Sequence, residues 1–97
     1  MSAIEQRFKE LEAEWHRRTA FHSSTTRMVN DPSYQEVIAM GWEVVPVILR
    51  SLAEKPDHWF YALAKITGDN PIPPEDAGNV PKMTEAWLDW GRRKGLV

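Results

Sequence analysis

The sequence predicts an all-α fold, a compact bundle of about five helices with a helical hairpin at its centre. Apolar residues recur at helical spacing in five separate segments, and residues that cap or stop helices stand at the ends of these segments. The β-branched run Val44-Val45 could start a strand, but Pro46 follows it and disfavours one. At 97 residues the chain has room for one domain, residues 1–97, and its 42% hydrophobic content indicates that it folds.

The first predicted helix spans about residues 3–20. Ser2 and Glu5 have the spacing of a capping box, which satisfies backbone N–H groups at a helix start. The segment at 21–30 has no helical period and is rich in serine and threonine, so it is predicted to be a loop. One apolar stripe with a 3.6-residue period marks the inner face of the helix: Ile4, Phe8, Leu11 and Trp15.

Two helices with a short turn between them are predicted next. Asp31 can cap the first of them, Pro32 fits its first position and Gly41 fits its stop. The second begins near Glu43, because Pro46 is tolerated only in a first turn. Its inner face carries apolar residues at i, i+3, i+4 and i+7: Val45, Ile48, Leu49 and Leu52.

The last two predicted helices flank a proline-rich loop at 69–81. Asp57 is expected to cap the fourth helix and Gly68 to end it, and Trp59, Leu63 and Ile66 form its inner stripe. Loops as long as the one that follows are often functional. The fifth helix is expected to start at Asn79 and Pro81 and to end near Gly95, with these residues on its apolar face: Met83, Ala86, Trp87 and Trp90.

Residues 41–68, GWEVVPVILRSLAEKPDHWFYALAKITG, resemble a HEAT-type helix pair. The shared features are a glycine before the first helix, a Val-Pro in its first turn, a leucine-rich face and an Ala-Leu-x-x-Ile-x-Gly second helix. The ending TEAWLDWGRRKG is similar to those of small uncharacterised bacterial proteins that carry one such pair. The chain departs from the family at Asp57-His58-Trp59-Phe60, where an Asp-Val-Arg opening is common. The resemblance implies a helical protein-binding scaffold and carries over no catalytic residue.

Composition narrows the classes of partner. Twelve basic and 14 acidic residues give a formal charge of -2, which provides no long-range attraction to nucleic acid or to an anionic membrane. Cysteine is absent, so disulfides and thiolate metal sites are excluded. The N-terminus lacks the apolar region of a secretory signal, and no apolar run approaches the ~18 residues of a membrane span. We therefore expect a cytoplasmic protein.

Asp57, His58 and Tyr61 are the residues through which a small enzyme could act, and this is one alternative function. An aspartate at a helix start is expected instead to accept backbone N–H groups, so the capping role is preferred. A metal site would use His16, His22 and His58, but the chain has no His-Glu-x-x-His motif, and no metal or cofactor is predicted.

A second alternative is a helix-turn-helix-like DNA binder built from the third and fourth helices. The recognition helix would present HWFYALAKIT, which has one lysine and no Arg, Asn or Gln. Base readout and phosphate neutralisation depend on such side chains. The sequence therefore favours partners other than nucleic acid.

Five tryptophans exceed what a small core can hide completely, and exposed aromatic side chains on rigid helices are common anchors of protein interfaces. We expect a small α-helical protein-protein interaction module without catalysis of its own: an adaptor, a regulatory subunit or an inhibitor of the antitoxin or immunity kind. Its partner is another protein or a second copy of the chain. Trp42 either joins two helices or protrudes, and Trp87 and Trp90 either bind or only close the helix pair. The predicted partner-binding residues are Trp42, His58, Phe60, Tyr61, Trp87 and Trp90.

Overall fold

Six helices make up most of the computed structural model, which describes residues 2–20 and 25–97. Within this part of the chain no strand occurs, so the all-α prediction is confirmed. No helix there is both long enough and apolar enough to cross a membrane. The helices are α1 (Ala3–Thr19), α2 (Thr25–Val29), α3 (Pro32–Ala39), α4 (Val45–Glu54), α5 (Phe60–Thr67) and α6 (Val80–Arg93), with 3₁₀ turns at Gly41–Val44 and Pro74–Asp76.

The core is organised around an aromatic cluster that α1, α3 and the start of α5 share. The ring of Trp59 lies 5.0 Å from Phe8, 4.7 Å from Trp15 and 4.8 Å from Tyr34, measured between centroids. All four side chains are buried. Because α1 packs on α3 and α3 packs on α5, these large rings occupy the space between the three helices. The helix α6 covers the other side by packing on α4.

The caps expected at the start of α1, α3 and α6 are present. The Ser2 hydroxyl accepts a hydrogen bond from the Glu5 N–H at 3.1 Å. Asp31 accepts from the Ser33 N–H at 2.8 Å, and the Asn79 side chain accepts from the Lys82 N–H at 3.2 Å. Each satisfies an N–H group that the helix itself leaves without a partner.

The prediction of a loop at 21–30 is wrong where the structure describes it, because Thr25–Val29 form α2; residues 21–24 lie outside the described part. Tertiary contacts explain the difference. The indole N–H of Trp15 donates to the Met28 carbonyl at 2.8 Å, and the Gln35 side chain donates to the Val29 carbonyl at 2.7 Å. Val29 is also buried in the core. Both partners lie outside the segment itself, on α1 and α3, so no periodic pattern within residues 21–30 shows them.

Asp31 is held by a charge pair as well as by its capping bond. The Arg18 guanidinium donates from Nε and Nη2 to the two carboxylate oxygens, at 2.8 and 2.9 Å. Arg18 also bonds the Ser33 hydroxyl, which donates to Glu14 at 2.9 Å. The Arg18 hydrogen bond holds the pKa of Asp31 below its ordinary value. This network fixes α1 against the start of α3.

We expect Asp31→Ala to lower the free energy of unfolding by about 1–2 kcal/mol at pH 7, since it removes both a cap and a paired carboxylate. A carboxyl whose folded pKa is depressed stabilises the fold above its unfolded pKa of about 3.9. That contribution is lost as the pH falls through the folded pKa. Urea unfolding at pH 7 and at pH 3 should therefore show a smaller difference between wild type and variant at pH 3. Asp31→Asn keeps a capping oxygen, so its free energy of unfolding should fall less than that of Asp31→Ala. If Asp31→Ala lost the same free energy of unfolding at both pH values, the stabilising role of the Asp31 charge would be contradicted.

The prediction that Asp57 caps α5 is wrong. Asp57 does not cap this helix, because a turn closed by the Trp59 N–H and the Asp57 carbonyl at 2.9 Å delays the helix start to Phe60. The Tyr34 hydroxyl takes over the capping role. It accepts from the Ala62 N–H at 3.0 Å and donates to the His58 carbonyl at 2.8 Å. Burial raises the pKa of Tyr34, which keeps the donated proton in place. The end of α5 at Gly68, in the left-handed region with φ of 71°, is as predicted.

Tyr34→Phe should lower the free energy of unfolding by about 2–3 kcal/mol, because the buried N–H of Ala62 and the His58 carbonyl both lose their partner. The ring stays in place, so no large cavity contributes. Chemical denaturation followed by circular dichroism measures the loss. Amide hydrogen exchange gives a local control: protection should fall at Ala62 more than in α6. A loss below about 0.5 kcal/mol would show that the hydroxyl does not serve as the cap.

Candidate protein-interaction site

The six predicted partner-binding residues divide into exposed and buried ones. Trp42 is 53% exposed and Tyr61 44% exposed, and His58 is also exposed. The expected accessibility of Phe60 is wrong, since its exposed fraction is 8%. For Trp87 and Trp90 the sequence left exposure and burial both open, and the structure buries them, with exposed fractions of 0% and 4%.

The burial of these three rings follows from helix register and packing. Because α5 begins at Phe60, this ring shares the buried side with Leu63, three residues on. Trp87 and Trp90 lie on the face of α6 that packs on α4, with their rings edge to face at 5.2 Å. Trp87 is therefore a core residue, and only an edge of Trp90 reaches the surface.

Three of the predicted residues line one apolar pocket. The cavity has a volume of about 330 Å³ and lies where α2, α5, the loop before α6 and α6 itself meet. The exposed ring of Tyr61 forms part of its wall. Residues that the sequence did not indicate as binding residues complete it. The lining residues are Val29, His58, Phe60, Tyr61, Gly78, Val80 and Met83.

The wall of this pocket is fixed by the fold. The backbone of His58 is held at both of its polar groups, since its N–H donates to Asp57 at 2.8 Å and its carbonyl accepts from Tyr34. Phe60 is anchored by its burial in the core. The Lys65 ammonium stands 5.9 Å from the centre of the Tyr61 ring, so a cation neighbours one of the lining side chains. The pocket is thus a preformed apolar depression with a basic neighbour.

Trp42 belongs to a different surface. Its ring stacks on Trp90 at 6.2 Å, and the indole N–H of Trp90 donates to Asp69 at 3.0 Å. The Lys94 ammonium lies 6.0 Å from the centre of the Trp90 ring. Met83 and Trp90 are seven residues apart on α6, so the two surfaces are separated by roughly 10 Å along the helix axis. They offer two independent places for a contact.

Asp57, His58 and Tyr61, the residues of the small-enzyme alternative, do not form one hydrogen-bonded group. Asp57 accepts from the backbone N–H of His58 and not from its ring. Its other oxygen faces His16 Nε2 at 2.6 Å. Within residues 2–20 and 25–97, no hydrogen bond joins the side chains of Asp57, His58 and Tyr61. His58 and Tyr61 line the same pocket, whereas the carboxylate of Asp57 faces Glu12 and His16.

Asp57 instead joins a cluster with Glu12 and His16, in which donor atoms of all three lie within 4.8 Å of one another. Of the histidines considered for a metal site, His16 is in this cluster, His58 is at the pocket, and His22 lies outside the described residues. The i, i+4 spacing of Glu12 and His16 was visible in the sequence. The approach of Asp57, 41 residues beyond His16, was not.

Comparisons with known proteins give no match: no family model, no curated protein and no solved structure shows significant similarity to this chain. The features of the chain that bear on function are therefore the pocket, the exposed aromatic residues and the charged groups beside them.

Proposed function

We propose that this chain is a small α-helical interaction module that works by binding another protein. The apolar pocket beside the exposed ring of Tyr61 carries this proposal. A tyrosine with an apolar body and a polar tip is a frequent anchor of interfaces, and its cost in conformational entropy is low. Rigid walls lower the cost further, because little of the surface has to become ordered on binding.

The occupant that fits best is an apolar side chain from an exposed segment of the partner. A volume of about 330 Å³ is at the small end of the range for ligand pockets, which suits one anchoring side chain better than a cofactor. Lys65 beside Tyr61 favours an acidic residue next to that anchor. The proposed recognition element is thus an apolar residue with a carboxylate close to it in the partner's sequence.

The size of the chain and its formal charge of -2 suit an adaptor, a regulatory subunit or an inhibitor of the antitoxin or immunity kind. In each of these roles a helical scaffold presents a rigid surface and performs no chemistry. The surface at Trp42 is a second contact that could extend the first, since it lies at the other end of α6. Cytoplasmic localisation remains part of the proposal.

Affinity purification from source cells tests the function, with the wild type and two variants as baits. Tyr61→Ala removes one side chain of the pocket wall, and Trp42→Ala removes a similarly exposed aromatic side chain from the other surface. Quantitative mass spectrometry should show at least one protein enriched by wild type and by Trp42→Ala and depleted with Tyr61→Ala. A set of captured proteins that is identical for all three baits would overturn the proposed site.

A further inference from the structure

Glu12, His16 and Asp57 form the second notable cluster of the molecule. Glu12 and His16 lie one turn apart on the same face of α1, and Asp57 approaches from the break between α4 and α5. Donor atoms of the three side chains lie within 4.8 Å of one another, and His16 Nε2 is 2.6 Å from Asp57 Oδ2. One imidazole nitrogen and two carboxylates thus converge from two parts of the chain.

The two carboxylates are held from behind by other donors. Asp57 Oδ1 accepts from the His58 backbone N–H at 2.8 Å, which directs Oδ2 toward His16. Glu12 Oε2 accepts from the indole N–H of Trp59 at 3.1 Å. Because Trp59 is completely buried in the aromatic core, its N–H is a fixed donor. Metal ligands are oriented by outer hydrogen bonds of this kind.

We propose that this cluster binds a divalent transition-metal ion, with Zn²⁺ as the best fit. Imidazole and carboxylate together suit Zn²⁺, whereas Mg²⁺ and Ca²⁺ prefer oxygen ligands alone. Three protein ligands leave a position for water, and the half-exposed ring of His16 leaves a path from solvent.

Coordination requires small movements of the side chains. Zn–N and Zn–O distances of about 2.0–2.2 Å place tetrahedral ligands roughly 3.3–3.5 Å apart. The 2.6 Å contact between His16 and Asp57 therefore lengthens, and the carboxylate of Glu12 moves toward it. The ion replaces the direct hydrogen bond between His16 and Asp57. It also joins α1 to the segment before α5, so binding stabilises the folded chain.

Isothermal titration of tag-free protein with ZnCl₂ at pH 7.5 tests the site. We expect one Zn²⁺ per chain, and at least tenfold weaker binding in His16→Ala and in Asp57→Asn, the range that loss of even an outer-shell partner reaches. His58→Ala, which keeps the backbone N–H that holds Asp57, serves as the matched control and should bind as the wild type does. Zn²⁺ at ten times the wild-type Kd should raise the Tm of the wild type by roughly 5–10 °C and that of His16→Ala by less than about 3 °C.

Three results would overturn the proposal. The first is the absence of saturable binding of Zn²⁺ to the wild type. The second is unchanged binding in His16→Ala while circular dichroism shows that this variant is folded. The third is loss of binding in His58→Ala with His16→Ala unaffected, which would place the ion elsewhere. A cluster that is only an ion pair gives the first result, together with a Tm that does not respond to Zn²⁺.

Discussion

Trp87→Ala should lower the free energy of unfolding by about 3–5 kcal/mol, a large part of the stability of a domain of this size. Trp87 is completely buried, and its ring fills the contact between α6 and α4 beside Trp90. The substitution leaves a cavity that the neighbouring helices fill only in part. Trp42→Ala, at an exposed position, should cost less than about 1 kcal/mol. Urea unfolding monitored by circular dichroism measures both values.

Trp87→Phe is the matched control for this prediction. It keeps an aromatic ring in the core and removes an indole N–H that has no hydrogen-bond partner among the described residues. Trp87→Phe should therefore lower the free energy of unfolding by much less than Trp87→Ala does. If Trp87→Ala melted within about 3 °C of the wild type, the burial of this side chain and the α4–α6 contact would both be wrong.

Tyr61→Ala should weaken the affinity for the partner by about 30-fold, which corresponds to the loss of ~2 kcal/mol typical of an interface anchor. The exposed side chain contributes little to the core, so the Tm should change by only a few degrees. Surface plasmon resonance with the purified partner measures the two rate constants. The loss should appear mainly as faster dissociation, because an anchor acts after the encounter.

Lys65→Glu provides the matching electrostatic test. If an acidic residue of the partner approaches the Tyr61 ring, reversing this charge should slow association, and the effect should shrink at high salt. An unchanged affinity of Tyr61→Ala would contradict the proposed pocket. A loss confined to Trp42→Ala would move the interface to the other end of α6.

The helices could be predicted from the sequence because their signals are local. Asp31 and Pro32 mark the start of α3, Ser2 marks that of α1 and Asn79 that of α6. These residues act on backbone groups within a few positions of themselves, so their effect depends little on the rest of the fold. The apolar stripe of α1 follows the same logic, and its members Phe8, Leu11 and Trp15 are buried.

The short helix α2 and the cap of α5 could not be predicted because tertiary contacts decide them. A hydrogen bond from Trp15 to the Met28 carbonyl supports α2. The hydroxyl of Tyr34 caps α5 at Ala62, 28 residues further along the chain. A polar residue close to the helix start, Asp57, was the natural candidate, but the turn before α5 directs its carboxylate to His16.

Exposure of the aromatic residues was only partly predictable. Trp42, Trp87 and Trp90 are the same residue type, so the sequence does not distinguish them. The packing of α6 on α4 buries Trp87 and Trp90 and leaves Trp42 exposed. The pocket is a similar case. Tyr61 was visible as an aromatic residue outside the apolar stripe, but Val29 and Val80 join it only because α2 and α6 approach the start of α5. Such a site depends on three distant segments, which no single pattern in the sequence connects.

Photo-crosslinking inside the source cells tests the central claim most directly. A benzoylphenylalanine placed at position 61 keeps an aromatic side chain at the pocket, and the same group at Trp42 and at the exposed Arg17 provides comparisons. We predict a discrete covalent adduct with one other protein at position 61 and none at position 17. Three results would contradict the account: no adduct at position 61, the same adducts at positions 61 and 17, or an adduct with the mass of two copies of this chain.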